Sequence, residues 1–77
     1  MNTWIDRLAA ALGQDPLTDA EATRLLGSAR DVAQRVERKI TPLAAFLLGA
    51  ATGRWMAEGG SREDALGSAL GTLEGLL

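Results

Sequence analysis

Residues 41–59 read TPLAAFLLGAATGRWMAEG, and the fold turns on how this stretch is read. Thr41 is suited to cap a helix, because its hydroxyl can accept a backbone N–H of the first turn. Pro42 stands at the first helical position, where a missing N–H costs nothing. Gly59 and Gly60 close the run, since glycine adopts the left-handed conformation that ends helices. Between these ends the segment is apolar on nearly every side, from Leu43 through Phe46, Leu47 and Leu48 to Ala51. A helix apolar all round belongs in an interior. The segment therefore predicts a buried central helix.

The flanking sequence supplies three more helices. Trp4, Ile5, Leu8 and Leu12 form one apolar stripe, which predicts a helix over 4–12 with Trp4 in the core. Thr3 is its expected cap, Asp6 its partner in capping-box style, and Gly13 its stop. Thr18, Asp19, Ala20 and Glu21 make a capping box for a second helix. Its apolar positions run in a three-four repeat from Ala22 to Ile40. Pro42 disfavours helical geometry at the preceding residue, so this helix should end near Lys39. Ser61, with Asp64 three residues later, opens a fourth helix whose apolar face runs from Ala65 to Leu77. No segment alternates with period two. The expected fold is all-α, a compact four-helix domain over 1–77 with a buried apolar third helix.

Two rows of small residues stand out. Gly67, Gly71 and Gly75 lie along one ridge of the fourth helix, and Ala45, Gly49 and Gly53 along one ridge of the third. Three interior glycines cost about 2–3 kcal/mol relative to alanine, so propensity does not explain them. Either the two rows interlock and the third and fourth helices pack closely, or one row receives a helix from a second subunit or another protein.

Length and composition bound the function. Seventy-seven residues make one domain of marginal stability. Cysteine and histidine are absent, which removes disulfides, thiolate ligands and the common nucleophile–base pairs. No acidic cluster suggests a metal, and no phosphate-loop pattern stands between strand and helix. An enzyme is not expected, nor a cofactor. The net charge of −2, from eight basic and ten acidic residues, is not that of a nucleic-acid binder. The uncharged stretch 40–53 is too short to span a bilayer, and Asp6 interrupts any secretory segment. A cytoplasmic protein without membrane contact is expected.

Charge concentrates on the second helix, where Arg24, Arg30, Arg35, Arg38 and Lys39 outnumber Asp31 and Glu37. Asp31 and Arg35 are spaced for a favourable pair. The plain reading is a solvated outer face. The functional one is a docking patch of Arg30, Asp31, Arg38, Arg54 and Trp55, with the arginine–tryptophan pair as an interface anchor. The same arginines would suit an anionic pterin or nucleotide phosphate. Homodimerisation through a glycine row is a third reading.

The run ARDVAQRVER at 29–38, followed by PLAAFLLGAATG at 42–53, resembles a small family of uncharacterised helical domains from actinobacteria. The family pattern is A-R-D-V-A-H, a basic residue, then P-L-T-x-F-L-x-G-x-A-A-G. Gln34 stands where the family often has histidine, and Ala44 where threonine is frequent. Members occur alone or attached to proteins similar to molybdenum-cofactor guanylyltransferase. The resemblance implies a protein-interaction module or small accessory subunit, tied to synthesis or delivery of the molybdenum cofactor or to a molybdoenzyme.

Overall fold

A computed structural model describes residues 3–77. Four α-helices follow one another: α1 (Thr3–Ala11), α2 (Asp19–Arg35), α3 (Thr41–Ala57) and α4 (Arg62–Leu76). A single 3₁₀ turn, Arg38–Ile40, joins α2 to α3, and the described residues contain no strand. The all-α class expected from the sequence is the class found.

The local punctuation works as the sequence chemistry dictates. Gly13 has φ +69° and Gly59 φ +105°, a region closed to most side chains. Each ends its helix in a Schellman motif. The Gln14 N–H donates to the Ala9 carbonyl at 2.8 Å and the Gly13 N–H to Ala10 at 3.1 Å. Gly60 and Gly59 donate in the same way to Trp55 and Met56. The Thr18 capping box is complete: the Thr18 N–H donates to Glu21 Oε1 at 2.8 Å, and the Glu21 N–H to Thr18 Oγ1 at 3.1 Å. The Ser61 Oγ accepts from the Asp64 N–H at 3.1 Å.

Other boundaries differ. The second helix ends at Arg35, not near Lys39. Val36 leaves helical geometry at φ −117°, ψ −82°, and the Val32 carbonyl accepts from both Val36 and Glu37. Thr41 does not cap α3. It is the first helical residue, at φ −53°, ψ −47°, because the 3₁₀ turn has already wound the chain inward. Its Oγ1 is buried without a hydrogen-bond partner. The first helix begins at Thr3, so the residue that would cap it lies outside the described residues. Asp6 Oδ1 likewise is buried without a partner.

The larger correction concerns the interior. The core is centred on α4, not α3. Ala65, Leu66, Ala69 and Leu70 of α4 are buried, with Leu70 only 1% exposed, and Ala22 and Val32 of α2 join them. From α3 only Thr52 is buried, its hydroxyl donating back to the Leu48 carbonyl at 2.7 Å. Leu43, Phe46 and Leu47 are 64%, 74% and 67% exposed. The reason is a shortage of cover. α3 packs mainly on α4 and less on α2, while no Cα of α1 comes within 8 Å of another helix. Trp4, expected in the core, is 62% exposed for the same reason.

The glycine rows do not interlock either. A Cβ added at Gly49, Gly53, Gly71 or Gly75 would meet nothing within 4 Å. At Gly67 it would meet only the Arg24 guanidinium, at 3.6 Å. The close contact between α3 and α4 is made by other residues. The four helices form a body of 32 × 29 × 19 Å.

Candidate functional site: an apolar cleft beneath the first helix

Because α1 stands off, a cleft of about 640 Å³ opens between it and the rest of the domain. Ile5, Leu8 and Leu12 of α1 form one wall, and Leu25, Leu26 and Ala29 of α2 form another. The floor is α3, which presents Ala45, Gly49 and Gly53 together with Leu48, Thr52 and Met56. The small row thus lies along the floor, where it gives the cleft depth and leaves the α3 backbone open to close approach.

One end of the cleft is polar and rigid. Arg62, at the start of α4, donates from Nε to Glu21 Oε2 at 2.8 Å and from Nη2 to Glu21 Oε1 at 2.6 Å. The same guanidinium donates from Nη1 to the Asp15 carbonyl at 2.8 Å and from Nη2 to the Pro16 carbonyl at 2.6 Å. Two helix N-termini and the α1–α2 loop are therefore held by one side chain. Both partners are largely shielded, the Arg62 and Glu21 side chains being 21% and 13% exposed. The hydrogen bond from Arg62 holds the Glu21 carboxyl at about 2, well below the ordinary carboxylate range, with help from Thr18 and against the opposing effect of burial. The Glu21 carboxylate in turn raises the Arg62 pKa.

Arg62 was not among the residues expected to matter. Its position carried a signal, however. A basic residue in the first turn opposes the helix dipole, so its place there calls for a specific local partner.

The five residues of the expected docking patch fall elsewhere. None of them lines the cleft. Arg30 is exposed on α2, and Asp31 borders a separate shallow hollow of about 200 Å³ between α2 and α4. Arg38 is exposed in the 3₁₀ turn. Arg54 and Trp55 do come together, the guanidinium carbon 6.0 Å from the ring centroid, at the outer limit of a cation–π contact. The expected Asp31–Arg35 pair is not formed, and the exposed Lys39–Glu37 pair at 3.4 Å contributes little.

Apart from Gln14, Asp15, Glu21, Thr52 and Arg62, the residues lining the cleft are apolar or glycine. Among the described residues no group of three or more histidine, cysteine, aspartate or glutamate side chains could hold a metal ion. Arg62, the cation lining the cleft, is engaged by Glu21 and two carbonyls. Among the described residues no helix is long and apolar enough to cross a membrane.

No curated protein and no solved structure matches this chain. A family model described as "Domain of unknown function (DUF6457)" matches residues 1–77, and the chain belongs to that family.

Proposed function

We propose that this domain is a non-catalytic protein-interaction module, and that the cleft beneath α1 receives an apolar helix of a partner protein. One observation carries the reading. The walls from α1 and α2 face a floor of small residues, Ala45, Gly49 and Gly53, and none of the described residues fills the space between. Partner helices dock in grooves of this kind through residues at helical spacing. The polar end fixed by Arg62 and Glu21 sets the register of such a helix.

The resemblance seen in the sequence gives the partner's class. It is a protein of the molybdenum-cofactor system or a molybdoenzyme, for which this domain would serve as a small accessory subunit in the cytoplasm. An anionic pterin or nucleotide site is less well supported. Arg30, Arg38 and Arg54 line neither the cleft nor the hollow between α2 and α4, and four of the five N–H donors of Arg62 are already engaged.

Calorimetric titration of the domain into a molybdenum-cofactor guanylyltransferase-like protein, and into a molybdoenzyme from the same host, tests the reading. Binding to one of them should be lost in Leu8→Glu, which charges the cleft wall at an exposed position. Heat of binding from neither protein, or binding unchanged by the substitution, would overturn the proposal.

A further inference from the structure

The other flank of α3 faces away from the cleft, and its occupant is a separate matter. Leu43, Leu47, Ala50 and Arg54 follow the four-three-four spacing of a helix-pairing seam, with Phe46 beside them. At 3.6 residues per turn these five positions span about 100° of arc. Leu43, Phe46, Leu47, Ala50 and Arg54 are all exposed.

From this we infer that a second copy of the chain covers this flank, α3 lying antiparallel to its counterpart across a two-fold axis. Area gives the first argument. A compact monomer of 8.1 kDa exposes about 4,500 Å², whereas this chain exposes 5616 Å². The excess is about 1,100 Å², against roughly 800 Å² per partner in a standard interface and more in an obligate homodimer. A single helix docked in the cleft leaves Phe46 and Leu47 bare, so the cleft's occupant covers only part of this exposed area.

Charge gives the second argument and selects the second copy. A two-fold axis sets each face against itself, so a face with charge near its centre repels its own copy. No charged residue occurs from Ile40 to Gly53, so this seam is compatible with itself. Direction follows from Arg54. Parallel helices would bring Arg54 against Arg54. Antiparallel helices about an axis midway along the seam keep the two guanidinium groups about 16 Å apart along the helix and oppose the two helix dipoles.

Sedimentation equilibrium of the whole chain over a concentration series tests this. The expected result is a reversible dimer of two 8.1 kDa chains. Leu47→Glu and Ala50→Glu should each raise its dissociation constant roughly 100-fold. Both positions are exposed, so helix content by circular dichroism should stay unchanged. The chain has no cysteine, so single-cysteine variants report cleanly. A short bismaleimide should link Ala50→Cys, near the axis, and not Leu43→Cys, at the seam's end. A chain that stays monomeric to millimolar concentration overturns the inference, as does a dimer indifferent to both glutamate substitutions. Equal cross-linking at positions 43 and 50 overturns the antiparallel arrangement. Leu8→Glu should leave the dimer intact, so failure of partner binding in the cleft is read separately.

Discussion

Replacing Arg62 with alanine should be the most damaging single polar substitution in the domain. The wild-type guanidinium makes two hydrogen bonds to Glu21 and two to the Asp15 and Pro16 carbonyls. A Glu21 carboxyl held at about 2, against roughly 4.3 when free, corresponds to about 3 kcal/mol at 1.36 kcal/mol per pKa unit. Water reaches part of the pair, so about 2–3 kcal/mol is the expected loss at neutral pH. The sign of the pH dependence follows. The folded pKa lies below the unfolded one, so the stabilisation is fully present above about pH 4.5 and is lost as pH falls toward 2. Urea unfolding followed by circular dichroism at pH 7, 4 and 3 measures it. The gap between wild type and Arg62→Ala should narrow steadily down that series, and Glu21→Gln should cost little more in the Arg62→Ala background. A loss under about 0.5 kcal/mol at pH 7, or a gap that does not change with pH, would refute the argument.

Leu70→Ala should cost about 3 kcal/mol, because Leu70 is buried in the α4 core, whereas Leu47→Ala should cost under about 0.5 kcal/mol in dilute protein; equal losses by urea unfolding would place the core elsewhere. Gly27→Ala should stabilise the domain by about 1 kcal/mol, since nothing lies within 4 Å of an added Cβ, and a lower melting temperature would reveal a clash with the added methyl. Hydrogen exchange should find the α1 amides far less protected than those of α4, because α1 packs against no other helix closely; matching protection would show that α1 docks.

Much of the backbone was legible in the sequence because its signals are local. The Thr18 box, the Ser61 cap and the stops at Gly13 and Gly59 act over three to five residues and needed no tertiary information. The joint between α2 and α3 was less so. The rule that disfavours a helical residue before proline is a preference, and the 3₁₀ turn overrode it at Thr41. The interior was misjudged for a deeper reason. Hydrophobicity identified α3 as a helix that needs cover, but it does not say which molecule provides the cover. The small row at Ala45, Gly49 and Gly53 was visible, with two readings open, and it lines a cleft instead of meeting α4. The Arg62–Glu21 link joins residues 41 positions apart, beyond the reach of spacing rules.

Phe46 is the single phenylalanine in the chain and stands on the bare flank of α3. Fluorine NMR of protein carrying 4-fluorophenylalanine therefore reads that flank alone. In dilute protein the resonance should shift between H₂O and D₂O, as exposed fluorine does, and that shift should disappear as the dimer forms. A resonance shielded from solvent at every concentration would mean that the single chain already buries α3, and one exposed at every concentration would mean that no second copy covers it.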